Sequence, residues 1–273
     1  MVGFQVMTGL GILILAAVFF VTSGVSVVTG STSVITVPVM FQFGIDARTA
    51  VATNMFALTF MSVGGSLPFL RGNALNRGRL PGLIAVTLVG SAVGARLLLV
   101  IPTSIVPAFV STAIIGLAVF SMVYRRSGVE VFSGPSTRRM EVTGYVLTLL
   151  LGIYGGVFSG GYITILTAVF LAVFRMTFIE AIATTKLVNV FSSGIATIIF
   201  LRHGLVDYRL GLILGATMFV GALLGARLAR RLRNVWLRRI YLTAVWLLAL
   251  KTLLFDGFKD HKVHMPEAST PSR

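Results

Sequence analysis

The chain has 273 residues, of which 56% are hydrophobic and only 11% charged, with a formal net charge of +15 and no cysteine. Soluble domains carry roughly 25% charged residues, so a water-soluble globular fold is excluded. The missing cysteines rule out a disulfide framework, a thiol nucleophile and a cysteine metal site.

Hydrophobic segments are predicted near 5–28, 33–43, 50–70, 80–101, 104–124, 141–158, 162–174, 178–201, 208–228 and 236–255. Most are runs of about 20 residues, which at 1.5 Å per residue cross a hydrocarbon core of about 30 Å. The start, Met1 to Leu10, has no basic region and no cleavage site follows it, so the first run reads as a retained helix. The basic residues sit in the short loops between runs, which is a topology signal and not a nucleic-acid surface. One family of loops carries Arg71, Arg77, Arg79, Arg125, Arg126, Arg138, Arg139, Arg175, Arg230, Arg231, Arg233, Arg238 and Arg239. The opposite family holds little beyond Arg48, Arg202 and Arg209 before the tail. The positive-inside rule makes the Arg-rich side cytoplasmic and puts both termini outside.

The chain repeats itself. Shifted by 131 positions, Ala50 to Leu97 falls on Ala181 to Leu228 without a gap and with 16 of 48 residues identical. Chance in so apolar a composition gives about four or five, so the match reflects repeated architecture. Phe69-Leu70-Arg71 matches Phe200-Leu201-Arg202, and Gly90 with Gly94-Ala95-Arg96-Leu97 matches Gly221 with Gly225-Ala226-Arg227-Leu228. Each half holds five segments, an odd number, so the second half is expected to be inverted relative to the first. The expected organisation is a first transmembrane repeat at 1–125, a cytoplasmic linker at 126–140, a second repeat at 141–255 and a disordered tail at 256–273. The fold class is an all-α polytopic membrane protein whose two inverted repeats each begin with segments short or broken near the midplane.

The breaks mark the expected site. Thr29-Gly30-Ser31-Thr32-Ser33 precedes a short apolar run containing Pro38, and Ser159-Gly160-Gly161-Tyr162 precedes a similar run in the second half. Irregular backbone at membrane depth survives only where it is buried in protein or lines a wet cavity. Paired short, Gly/Pro-broken segments are the best sequence pointer to a transporter's binding site; close helix packing at small residues is the competing explanation. The third segment of each half adds polar side chains: Asn54 in the first, and Thr185, Lys186, Asn189, Ser192 and Ser193 in the second. Thr185, Asn189, Ser192 and Ser193 share one helical face, which should face the interior. Lys186, the only lysine before Lys251, either supplies positive charge to an anion or snorkels to the interface. The expected substrate-binding set is Gly30, Ser31, Thr32, Ser33, Asn54, Ser159, Gly160, Gly161, Thr185, Lys186 and Asn189. Arg96 and Arg227 read as headgroup anchors, with gating of anions as the alternative.

All eight carboxylates (Asp46, Glu130, Glu141, Glu180, Asp207, Asp256, Asp260, Glu267) fall in predicted loops, span ends or tail, and His203, His261 and His264 are peripheral too. That disfavours a carboxylate proton relay and a membrane-embedded enzyme, which needs a base or metal cluster beside its nucleophile. No catalytic residue, metal or cofactor is expected. The expected partners are the lipid bilayer and a small anion, with a homodimer left open and no nucleic acid. An evenly helical ten-segment carrier of the drug/metabolite transporter type is the alternative, and a channel shares the same lining.

The glycine-broken segments, the openings at Ala50–Thr53 and Ala181–Thr184, the Phe-Leu-Arg ends and the Gly-x-x-x-Gly-Ala-Arg-Leu closings together resemble the sulfite exporter TauE/SafE family over roughly residues 10–255. The resemblance implies a bacterial inner-membrane permease for small sulfur-containing or organic anions such as sulfite, sulfoacetate or related sulfonates and carboxylates. Gly30-Ser31-Thr32-Ser33 stands where the commoner family pattern has a denser glycine run.

Overall fold

The computed structural model describes residues 9–30, 32–70, 75, 77–126 and 136–232, together with 236, 239 and 243. Apart from those last three positions, the predicted tenth segment lies outside the described residues, as do the tail, Ser31 and Arg71.

Nine α-helices are described, and no strand: α1 (Gly9–Thr29), α2 (Ser33–Gln42), α3 (Ala47–Leu70), α4 (Leu80–Val100), α5 (Val106–Arg126), α6 (Arg138–Val157), α7 (Tyr162–Ala172), α8 (Phe178–Arg202) and α9 (Tyr208–Arg231). Six of them, α1, α3, α4, α6, α8 and α9, are long and apolar enough to cross a membrane. The protein is therefore an all-α polytopic membrane protein. The breaks fall between the first and second helices of each half. There α2 has 10 residues and α7 has 11, while α1 and α6 have 21 and 20. Helix α6 begins at Arg138, inside the stretch assigned to the linker, because the Thr137 side chain accepts from Met140 N and caps it there.

Helix ends follow local chemistry. Asp46 Oδ2 accepts from Thr49 N at 3.1 Å at the start of α3. Thr177 and Glu180 form a capping box at the start of α8. Asp207 Oδ1 accepts from Leu210 N at 3.0 Å and caps α9. The described carboxylates thus serve as helix-end groups, and Glu141 joins them in the first turn of α6, where it pairs with Arg79 at 2.6 Å. Arg79 also donates to Phe174 O at 3.0 Å and lies over the Phe174 ring, tying the starts of α4 and α6 to the end of α7.

The repeat is written into the backbone. Gly30 and Gly161, 131 positions apart, have φ of 76° and 80°; Gly44 and Arg175, also 131 apart, have φ of 76° and 55°. Asp46 and Thr177, the caps of α3 and α8, are another such pair.

Packing exchanges one helix between the halves. Helix α9 sits between α1 and α3, and α4 sits between α6 and α8; α3 and α8 then pack on each other. Each trio therefore joins the first and third helices of one half to the fourth helix of the other. The Gly-x-x-x-Gly motifs make this possible. A methyl group on Gly90 would lie 3.1 Å from Gly152 Cα, and one on Gly225 would lie 2.9 Å from Gly24 Cα. Small residues let helix backbones approach this closely in membranes. Arg96 and Arg227, which follow the motifs, point outward and are exposed.

Candidate functional site

The two breaks meet in the core. Gly30 ends α1 in a left-handed conformation, and Gly161 does the same before α7. Glycine populates that region without a steric penalty. A methyl group on Gly30 would lie 2.8 Å from Thr164 N, so the breaks touch backbone to backbone. Ser33 Oγ and Ser159 Oγ share a hydrogen bond of 2.6 Å, and Thr164 Oγ1 donates to Thr29 O at 2.7 Å. Asn54 reads this crossing from α3: its Nδ2 donates to Ser33 Oγ at 2.8 Å, and its Oδ1 accepts from Thr36 Oγ1 at 2.7 Å.

The structure thus brings together Gly30, Ser33, Asn54 and Ser159 of the expected set, and adds Thr36. That residue was legible only as one helical turn beyond Ser33. Thr32 lies beside the crossing and turns its hydroxyl to Met61 Sδ at 3.5 Å. Gly160 O accepts from Tyr154 OH, and Gly161 is pressed against Leu117. Thr185 donates to Ile182 O of its own helix.

Lys186 and Asn189 belong to the neighbouring α1–α3–α8 contact. Lys186 is fully buried, and its Nζ donates to Ser26 O at 2.9 Å. It does not snorkel to an interface; it sits against one of the last carbonyls of α1, where the helix dipole is negative. Asn189 Nδ2 donates to Ser62 Oγ at 2.6 Å. The α8 stripe of Thr185, Asn189, Ser192 and Ser193 is buried throughout.

Two electrostatic features follow. The N-termini of α2 and α7 both start at the crossing, so their positive dipole ends converge there, as helix starts do in anion sites. Among the described residues, Lys186 is the only charged residue buried as a whole, and the other polar residues buried as a whole carry neutral hydroxyls or amides. Such a lining offers donors without a competing carboxylate. No group of three or more His, Cys, Asp or Glu is placed to hold a metal among the described residues.

Comparison with known proteins agrees with this architecture. The chain is 27% identical over 214 residues to a probable membrane transporter of Sinorhizobium sp., covering 77% of this chain and 80% of that protein. It is 24% identical over 257 residues to a probable membrane transporter of Haemophilus influenzae, covering 91% and 98% of the two chains. It is also 22% identical over 259 residues to the probable membrane transporter YfcA of Escherichia coli K12, covering 92% and 94%. No solved structure matches significantly. The sulfite exporter TauE/SafE family profile matches residues 14–252, nearly the whole described chain, and the protein is a member of that membrane transporter family.

Proposed function

We propose that the protein is a bacterial inner-membrane permease that moves a small oxyanion, sulfur-containing or organic, by alternating access at the crossing of the two breaks. The observation that carries this reading is the Ser33–Ser159 contact at 2.6 Å with Asn54 beside it, where two half-helix N-termini converge in a buried, carboxylate-free interior. An anion that sheds its water on entry needs charge-assisted hydrogen bonds from fixed donors, and this lining supplies them. Lys186, within the same helix bundle, adds a positive potential. The membrane potential favours export of an anion by about 2.3 kcal/mol per charge per 100 mV, so outward movement requires no coupled ion.

The repeats are inverted in this reading, with the Arg-rich loops cytoplasmic. Because α4 and α9 are exchanged between halves, the moving bodies are not the two sequence halves. They are the α1–α3–α9 and α4–α6–α8 trios, which shift against each other across the α3–α8 contact. The drug/metabolite type of carrier fits less well, since α2 and α7 are half-length.

Binding of sulfite, thiosulfate, sulfoacetate and short carboxylates to the purified protein, followed by flux in proteoliposomes at clamped potential, tests the reading. At least one of these anions is expected to bind saturably and to leave faster when the inside is negative. Absence of binding across the panel, or flux indifferent to potential, overturns it.

A further inference from the structure

A second group of polar side chains lies outside the crossing, where α4, α7 and α8 meet. Thr87 and Ser91 come from α4, Ser192 from α8, and Tyr162 is the first residue of α7, and all four are buried. The break places Tyr162 there. Gly161 turns the chain in its left-handed conformation, and the Tyr162 ring is seated on Gly155 of α6, where a methyl group would lie 2.7 Å from the ring.

The proton count is uneven. Ser91 Oγ and Ser192 Oγ share a 2.6 Å hydrogen bond, and Ser91 Oγ can donate to Gly152 O at 3.2 Å. If Ser91 donates to Gly152, the Ser192 proton is spent on Ser91. The Tyr162 hydroxyl lies beside those of Ser192 and Thr87. Neither the Tyr162 hydroxyl nor the Thr87 hydroxyl makes a hydrogen bond of good geometry. Two buried hydroxyls therefore lie side by side, each without a hydrogen bond of good geometry. Leaving such donors unpaired costs about 1–3 kcal/mol each, and an oxygen with two lone pairs satisfies both at once.

The repeat makes the asymmetry plain. Shifted by 131, Thr87, Ser91 and Ser192 correspond to Met218, Ala222 and Met61, all buried in the other trio. One trio carries hydroxyls where its counterpart carries thioethers and a methyl group. Helix packing alone gives no reason for that difference.

We propose that Thr87, Ser91, Tyr162 and Ser192 form a second oxyanion subsite, next to the crossing, in which neutral O–H donors alone hold an oxygen of the cargo. Tyr162 follows Gly161 of the second break directly, so an anion leaving the crossing passes to this group without returning to water. The subsite rests on the reading of the protein as an anion permease.

The test uses selenite as a heavier analogue of sulfite, with anomalous scattering from crystals of the intact protein. A selenium peak about 4 Å from Tyr162 Oη and Thr87 Oγ1, with a selenite oxygen at hydrogen-bond distance from both, supports the subsite. A peak at the Ser33–Ser159 crossing alone, with only water at Tyr162, overturns the subsite and leaves the permease reading standing; no peak anywhere, together with no sulfite flux, overturns both. In proteoliposomes, Tyr162→Phe and Thr87→Val are each expected to raise the KM for sulfite about tenfold, the loss of one charge-assisted hydrogen bond. Thr87→Ser, which restores the hydroxyl, is expected to match the parent. An unchanged KM in folded Thr87→Val also overturns the subsite.

Discussion

Gly44 and Arg175 occupy the same turn of the two repeats, 131 positions apart, and both adopt left-handed backbone, at φ 76° and 55°. The turn ends the short helix in each half, and only the first half uses the residue suited to it. A side chain with a Cβ pays roughly 1–2 kcal/mol in that region. Gly44→Ala is therefore expected to lower the melting temperature in detergent. Arg175→Asn should be tolerated, because asparagine visits this region readily, whereas Arg175→Val should be poorly accumulated. Equal stability of the Asn and Val variants would contradict the assignment.

The glycines of the exchanged-helix contacts give a graded stability series. A methyl group on Gly94 would lie 3.0 Å from Gly156 Cα, and one on Gly225 would lie 2.9 Å from Gly24 Cα, backbone that cannot step aside. Gly94→Ala and Gly225→Ala are each expected to cost about 1–3 kcal/mol. Gly116 and Gly194 have nothing within 4 Å of a built methyl group, so alanine there should be neutral or stabilising by up to about 1 kcal/mol. Thermal melts of the four variants check the order.

Replacing Lys186 by Met removes the buried charge and keeps most of the stem. Ser26 O still accepts from Gly30 N at 2.8 Å, so the end of α1 is not orphaned. The equivalent position of the first half already carries Met55. Loss of anion flux with normal membrane insertion is the expected result. A fully active Lys186→Met protein would remove the charge from the site.

Asn54 offers a sharper charge test. Asn54→Asp is nearly isosteric but places a carboxylate beside Ser33. Flux of every anion should fall further in Asn54→Asp than in Asn54→Ala, which loses only hydrogen bonds to Ser33 and Thr36. Flux assays on matched amounts of reconstituted protein decide between the two, and the reverse order would place the anion elsewhere.

The chain contains no cysteine, so single-cysteine labelling has no background. Cysteine at Arg77 should react only from the cytoplasmic side and cysteine at Arg209 only from the periplasmic side. Labelling of both from one side would rule out the inverted topology.

Much of the helical layout was legible because lipid forces it. Runs such as 80–101 and 178–201 must be long, apolar and nearly uncharged, and they became α4 and α8 within a few residues. The breaks were legible for a related reason, since glycine and small hydroxyl residues interrupting an apolar run have few other uses at that depth. Less of the site could be read. Lys186 and Asn189 are polar residues on an apolar helix, which marks them as facing protein, but not which helix they face. Their partners Ser26 and Ser62 lie 160 and 127 positions away, and only the packing of α8 on α3 and α1 determines those encounters. Thr36 and Thr87 carry no signal in the sequence because a hydroxyl in a membrane helix most often bonds its own backbone, as Thr185 does, and Tyr162 is legible only as the last residue of the second break.

The exchanged helices also set a schedule for biogenesis. Helix α1 meets its main neighbour only when Gly221 and Gly225 have been made, about 200 residues after Phe20 and Gly24. At 5–20 residues per second the ribosome needs about 10–40 s for that stretch. Throughout that interval the first helix waits in the bilayer with its glycine-serine face against lipid or an insertion factor, and a nascent chain truncated before α9 leaves it without a home.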